Sequence, residues 1–423
     1  MRKRIAIIGS GISGLTCGYL LHKKHDITVY EANDYIGGHT ATKDVTVKGR
    51  DYAIDTGFIV YNDWTYPNFI KLMDTLQVKS QPTEMSFSVK NMERNLEYNG
   101  NTINSLFAQR RNIFRPFFWR IVRDLLRFNK LCKAQDAESI DKQQNLFTFL
   151  TEHQFSDAFI YNYILPMCAA IWSTSVEDIK TFPFQFFLRF FNNHGLLNIT
   201  VRPQWYTLVG GSREYIAPLT KGFANNIQLR TPVTSVSKRE LGYQVNNANG
   251  SAHYDEVIFA CHSDQALSML DNPGIPQREL VSNILGPIKY IPNEVILHTD
   301  SSVLPKRKLA WASWNYAIAN ENKAHQSPAV LTYNMNILQC LASDTTFCVT
   351  LNDRSNIAKN TILGVYQYAH PQFNEAAIHA QSRRDEISSI NGLHFCGAYW
   401  YNGFHEDGVR SALDVCQHFG EML

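Results

Sequence analysis

"RIAIIGSGISGLTCGYLLHKKHDITVYEANDYIGGHT" (residues 4–40) has the form strand, glycine turn, helix, strand, acid. Ile5 to Ile8 is a short apolar run of the kind buried on both faces of a parallel sheet. Gly9, Gly11 and Gly14 then spell G-x-G-x-x-G. The first glycine makes the tight turn, the second admits a pyrophosphate close to the backbone, and the third lets helix and strand pack closely. Ser10, Ile12 and Ser13 fill the same turn, so their N–H groups belong to the candidate cradle. The helix that starts there offers its unpaired donors and positive end to phosphates. "DITVY" supplies the second strand, and Glu31, followed by Ala32, comes twenty residues after Gly11, the distance at which an acid meets ribose hydroxyls.

The second glycine pair, in "IGGHT" (36–40), distinguishes between dinucleotides. Gly37 and Gly38, with His39 and Thr40, let the chain double back past the pyrophosphate. A nicotinamide site has no standard use for that return, so FAD is the expected cofactor. Further pieces recur along the chain. "DTGFIV" (55–60) sets Thr56, Gly57 and Phe58 after an expected hairpin, and "VGGS" (209–212) is a turn feeding a helix. Residues 227–261 read as a three-strand unit, the first strand containing Val233, the second "GYQV" and the third the buried "DEVIFA" that leads into Cys261. "LHFCGAYW" supplies a last strand before the C-terminal helix.

Between these lie an aromatic-rich helical block and a set of alternating strands that includes "NEVILHTD", "LAWASWNYAIA", "AVLTYNM" and "FCVTLN". The fold class expected is α/β: a doubly wound FAD-binding Rossmann-like domain interleaved with an α+β substrate domain of antiparallel sheet plus helices. Residues 1–80, 203–268 and 388–423 are assigned to the first, and 81–202 and 269–387 to the second.

Composition agrees with two globular cores: 423 residues, 44% hydrophobic, 18% charged. A net charge of +2 provides no reason to expect nucleic acid. The eight cysteines include no C-x-x-C, and no His, Cys or carboxylate group has metal-ligand spacing. A reduced, cytoplasmic protein is expected, without a bound metal. "MRKR" is followed at once by glycine-bearing sequence rather than an apolar leader core, and no apolar run reaches bilayer length.

These motifs together resemble the flavin-containing amine oxidoreductase superfamily, through "GSGISG…E", "GGHT", "DTGF", "VGGS" and "CGAYWYNGFHEDGVRSA" along the full length. "RPQW", "NILQ", "FCGAY" and "GFHEDG" more specifically resemble the oxidoreductase-like N-terminal half of plant cyclopropane fatty-acid synthases and its free-standing bacterial relatives. The resemblance implies that the last strand and helix close over FAD. Gly397 and Ala398 would approach the ribityl chain, and Asp407, Gly408 and Val409 would present backbone at the pyrimidine edge. It also marks departures. His39 stands where the superfamily has an arginine, Glu294 in "NEVILHTD" aligns with its lysine, and Phe404 replaces the tyrosine of its amine cage. The last change favours an apolar substrate.

The candidate chemistry is hydride transfer at flavin N5, with His405 and Glu406 as proton-transfer residues, hydrogen-bonding partners of FAD or caps of the last helix, and Phe404 and Tyr61, beside Asn62, lining the pocket. His262 is expected against cofactor or backbone, and His370 in a loop. The leading reading is an FAD-dependent oxidoreductase acting on a hydrophobic, lipid acyl-like substrate. A flavin amine oxidase and an FAD-bound accessory partner of a lipid-modifying methyltransferase stay open beside it. Residues 110–133 carry eight Lys and Arg against Asp124, with Phe118, Ile121, Val122 and Leu125 on one helical face. That pattern fits either peripheral contact with the membrane inner face or an amphipathic helix packed on its own domain. "FPFQFFLRFF" (182–191) reads as a core helix or a tunnel wall.

Overall fold

The computed structural model describes residues 2–141, 143–270, 274–275, 277–319 and 329–423. A parallel sheet runs in the order Ile227–Gln228, Asp26–Tyr30, Arg4–Ile8, Glu256–Phe259, Leu393–Phe395. Its register joins the start, middle and end of the sequence: Ile8 pairs with Phe259, and Phe259 with Phe395. Ile5, Ala6, Ile7, Val257 and Ile258 are fully buried, as the continuous apolar runs of a sheet covered on both faces require. A hairpin sheet of Val233–Lys238, Tyr243–Asn247 and Gly250–Tyr254 precedes the fourth strand.

Helix Ile12–Leu21 leaves the glycine turn and packs on the final helix, His405–His418. Glycine makes the approach. A Cβ on Gly408 would lie 2.6 Å from Ile12 Cγ2, and Ser13 Oγ donates to the Gly408 carbonyl at 2.9 Å. Behind this crossing, Cys17 and Cys396 place their thiol sulfurs 3.9 Å apart.

A seven-stranded sheet forms the second unit, in the order Ile362–Pro371, Tyr290–His298, Cys348–Leu351, Leu331–Asn334, Trp314–Ile318, Phe87–Asn91, Leu96–Asn99. It is antiparallel except where Trp314–Ile318 runs parallel to Phe87–Asn91. The "LAWASWNYAIA" strand is thus shorter than its alternation suggests, because Lys308–Ala310 turns as a 3-10 helix. Helices Pro116–Lys133, Leu146–Glu152, Leu165–Trp172 and Phe184–Asn193 share a core with this sheet. Phe128 is its hub, with the rings of Phe149, Phe155, Phe159 and Phe187 at 5.5–6.2 Å. Among the described residues no helix is long and apolar enough to cross a membrane.

Small connecting sheets tie the units together: the hairpin Thr42–Val47/Arg50–Asp55, and Val60–Asn62 and Ser80–Thr83 on either side of Trp205–Leu208. Asp55 pins the hairpin to the "VGGS" turn by accepting from Thr42 Oγ1 and from the Ser212 amide and hydroxyl. Burial nevertheless pushes its carboxyl up to about 6.

The glycine turn supplies a stability test. A Cβ on Gly14 would lie 2.0 Å from the Gly9 carbonyl oxygen, a backbone atom that cannot swing aside. Alanine in a helix gains about 1 kcal/mol over glycine, whereas overpacking costs about 1–3 kcal/mol, and more where backbone must move. Gly14→Ala is expected to lower stability by about 2 kcal/mol in urea unfolding, the overlap outweighing the propensity gain.

Candidate functional site

The glycine turn spends its first two amides inside the chain, Gly9 on the Tyr30 carbonyl (2.8 Å) and Ser10 on Glu31 Oε2 (3.0 Å). Gly11 caps helix Ile12–Leu21 with no side-chain hydrogen bond, so the first-turn N–H groups are not satisfied by a cap. A Cβ on Gly11 would have nothing within 4 Å, so no neighbour in this chain demands glycine there. That open space leaves the Gly11 backbone free for a ligand to approach. Gly37 donates its amide to the Ser10 carbonyl at 3.0 Å, and a Cβ on Gly38 would sit 3.2 Å from Gly11 Cα. The second glycine pair therefore doubles back onto the first turn. Both glycines have positive φ, 121° and 60°, which excludes most side chains.

Glu31 lies buried at the end of the second strand. Its Oε2 accepts from the Ser10 amide (3.0 Å) and hydroxyl (2.6 Å), and its Oε1 from the Asn33 amide (2.8 Å) and side chain (2.9 Å). These four bonds hold the carboxylate rigid beside the glycine turn. Ala32 is exposed at the outer edge, while Val233 and Cys261 border the sheet's carboxyl end. Burial pushes the Cys261 thiol up, so it stays protonated.

His39 is the centre of a cluster that the residue spacing did not reveal. Its ring lies 5.4 Å from His370, 6.2 Å from His262 and 5.5 Å from Tyr368. His262 stacks on Tyr290 at 4.0 Å, and Asn293 Nδ2 donates to His370 Nδ1 at 3.1 Å. Burial, followed by repulsion from His370 and His262, holds His39 well below the ordinary histidine range. Burial also lowers His262 and takes His370 down to about 4. His39 Nε2 is buried without a hydrogen-bond partner. His370 is not in a loop, as expected from Pro371, but near the end of strand Ile362–Pro371. Tyr366, Tyr368 and His370 share one face of that strand, an alternation visible in "VYQYAHP". The opposing register pairs Asn293 with Tyr368 but Glu294 with exposed Gln367. Glu294 therefore lies on the opposite face of its strand from Asn293 and faces away from His39.

The "DTGF" segment runs beside this cluster. The Phe58 amide donates to the His39 carbonyl at 2.7 Å, and a Cβ on Gly57 would strike that carbonyl at 2.2 Å. Thr56 Oγ1 bonds the Ala41 carbonyl and Tyr368 hydroxyl. Thr40 Oγ1 meets the hydroxyl of Tyr215 and lies 3.1 Å from His405 Nε2.

The side chains in the first turn of the last helix are engaged by their own chain. His405 stacks on Phe58 (3.8 Å, 7°), and its Nε2 lies 2.9 Å from the Tyr215 hydroxyl. Burial drives it down to about 3, so it is neutral. Glu406 accepts from the Asn68 amide and side chain and the Phe69 amide, capping helix Pro67–Leu76. Asp407 accepts from the Phe404 amide at 2.9 Å, and burial pushes its carboxyl up to about 7. The cap expected of Glu406 is on its own helix, but its oxygens take the start of helix Pro67–Leu76 instead. Tyr61 is buried against Phe69 and Tyr206. Gly397 donates its amide to Ser411 Oγ at 2.9 Å, which fixes the Gly397–Ala398 backbone against the helix, while Val409 is wholly in the core.

The residues fit FAD: an uncapped helix N-terminus, a glycine with open space before it, and an orphaned imidazole nitrogen beside the returning glycine pair. Gly11→Ala is expected to leave the stability of the flavin-free protein unchanged within about 0.5 kcal/mol while weakening FAD binding at least about tenfold, read by flavin fluorescence titration. Asp407 sets a pH test. Its folded pKa lies above the unfolded value, so ionisation penalises the folded state; the stability present below about pH 4 is lost as pH rises to about 7, at up to about 1.4 kcal/mol per pH unit. Asp407→Asn keeps an acceptor for the Phe404 amide and is expected to flatten that part of the stability profile in urea titrations at pH 4–8.

The family described as flavin containing amine oxidoreductase matches residues 12–336. No curated protein sequence matches the chain. Among solved structures, cyclohexylamine oxidase from Brevibacterium oxydans IH-35A is similar with a TM-score of 0.69 and 13% identity, over 99% of this chain and 100% of that one. A CLA-producing fatty acid isomerase from P. acnes has a TM-score of 0.68 and 13% identity, over 99% and 98%. Reduced UDP-galactopyranose mutase has 0.66 and 16%, over 99% and 94%. At such identities the likeness is one of fold. The family match spans more than half of the chain, so this protein belongs to the flavin-containing amine oxidoreductase family and is an FAD-dependent oxidoreductase.

Proposed function

We propose that this oxidoreductase acts on a hydrophobic, acyl-like substrate in a pocket bordered by Phe404. The observation that carries this reading is the aromatic wall running from the last helix into the helical block. Phe404 packs against Phe190 (5.4 Å, 21°) and His194 (5.8 Å). Phe186 stacks on Phe373 (5.5 Å, 15°), and a Cβ on Gly403 would meet the Phe373 ring at 2.9 Å. Phe186 and Phe190 also flank Trp172.

The charged groups beside the wall are neutral or already committed. Burial takes His194 down to about 4, Glu406 caps a helix, and Asp407 holds the Phe404 amide. An ammonium substrate would meet no free carboxylate from this segment. An acyl chain would need none, and apolar contact with water excluded suffices to hold it.

Bound FAD supplies hydride acceptance or donation at N5. Gly11, the first turn of helix Ile12–Leu21, Glu31 and His39 would hold it. The positive end of helix His405–His418 supports negative charge in front of its first turn. Phe404 orients the substrate, and its amide, locked by Asp407, fixes the wall at the helix start. The fatty acid isomerase in this fold acts on an acyl chain by its printed name, which supports the substrate class. The resemblance to the oxidoreductase half of plant cyclopropane fatty-acid synthases points the same way.

Anaerobic mixing of the flavin-loaded protein with fatty acids and phospholipids is expected to bleach the absorption near about 450 nm. Phe404→Ala, which retains the capped amide, is expected to slow bleaching at least about tenfold with flavin content unchanged. Bleaching by amines and by no lipid would reverse the assignment.

A further inference from the structure

The basic segment divides into an inward face, an acid engaged internally, and an outward apolar ridge. Phe118, Ile121 and Phe128 of helix Pro116–Lys133 are buried in the domain core, with Val122 and Leu125 packed beside them. The apolar stripe visible in sequence therefore packs inward. A second apolar set faces water: Phe114 is 84% exposed, Ile103 80%, Leu126 49%, Trp119 46% and Ile113 42%.

Arginines brace this ridge. Arg110 bonds the Asn104 and Phe107 carbonyls and Asn104 Oδ1, drawing the short helix Ile103–Leu106 against the turn Arg110–Phe114. Arg111 and Arg115 both bond the Asn95 carbonyl. Trp119 Nε1 donates to the Ile113 carbonyl at 2.8 Å, and its ring lies 5.6 Å from Phe107. Ile113 and Phe114 are thus held outward by the cations beside them.

The segment's single acid offsets only two of the segment's cations. Asp124 is fully buried, accepts from the Ser156 amide (3.0 Å) and hydroxyl (2.5 Å), and pairs with Arg123 (3.2 Å) and Arg127 (3.8 Å). Arg110, Arg111, Arg120, Lys130 and Lys133 remain as the basic set of this face, and Arg120 is exposed beside Trp119.

We infer that this face, the turn Arg110–Phe114 with the outward side of helix Pro116–Lys133, docks on an anionic lipid bilayer. Cations would meet headgroup phosphates while Phe114, Ile113 and Trp119 enter the interface, the arrangement of an interfacial amphipathic element. Charge complementarity selects this occupant. A second copy docking symmetrically would oppose two basic faces. A nucleic-acid backbone would match the cations but leave exposed aliphatic side chains without a partner. The inference does not rest on the substrate assigned above, because it concerns a different face and is read without turnover.

The test is co-sedimentation of the flavin-loaded protein with phosphatidylcholine vesicles, with and without about 30 mol% phosphatidylglycerol. Binding is expected only to the anionic vesicles, and is expected to fall sharply at about 0.5 M salt. Phe114→Ser and Arg120→Glu are each expected to weaken it at least about tenfold, with melting temperature and flavin content unchanged. Should one variant misfold, the other and the salt series still decide. Absence of binding, equal binding to both vesicle types, or unchanged binding by both folded variants would overturn the inference. So would binding of duplex DNA, or self-association abolished by Phe114→Ser, in place of vesicle binding.

Discussion

The contact on which the rest depends is the crossing of the first and last helices at Gly408. Ile12 and Ser13 fill the volume that a side chain at 408 would occupy, and Ser13 bonds the Gly408 carbonyl. Residues 395 positions apart are thereby packed at one point. That crossing places Phe404, His405 and Asp407 near the glycine turn rather than at a loose end of the chain. The parallel sheet does the same for the strands, since Arg4–Ile8 and Leu393–Phe395 flank Glu256–Phe259. A site assembled in this way needs every strand in register before any part of it exists, and loop-closure entropy is lost across the whole sequence.

Around the cradle, burial keeps ionisable groups neutral. His39, His262, His370 and His405 are all held below the ordinary range by desolvation, and their mutual repulsion would resist charging more than one. Neutral imidazoles still donate and accept, so the cluster offers hydrogen bonds without a fixed charge. An arginine at position 39 would carry its charge permanently and would have to be desolvated with it. With histidine there, positive potential for phosphates comes from backbone amides and the helix dipole instead.

Much of this was legible in the sequence, for local reasons. The first βαβ unit, the second glycine pair and the final strand are short motifs in which each residue type is dictated by backbone geometry, and the structure carries all three. The alternation in "VYQYAHP" is equally visible, yet Pro371 invites a loop reading that the strand overrides, because Pro at a strand end forfeits no needed ladder bond. What could not be read is pairing between distant segments. Glu294 matches a lysine position by spacing, but only the register against Gln367 reveals which face it occupies. Glu406 looks like a free acid in "GFHEDG" until helix Pro67–Leu76 arrives to take its oxygens.

The same distinction separates the two uses of aromatic residues here. In "FPFQFFLRFF", Phe184, Phe187, Leu188 and Phe191 turn inward because the helix has a sheet and three helices to pack on, and their burial is ordinary core formation. Phe114 and Trp119 have the same side-chain chemistry but sit on or beside a turn whose arginines bind backbone carbonyls and keep the rings in water. Leaving that much apolar surface in water forgoes the stabilisation that burial would bring, and it marks the patch for a partner. The buried Asp124 sharpens the contrast, since the segment's one acid is shared between Ser156, Arg123 and Arg127 and leaves the remaining cations of the face without a carboxylate from their own segment. A surface that retains both its cations and its hydrophobic ridge is matched by an environment that is itself charged at the rim and apolar beneath.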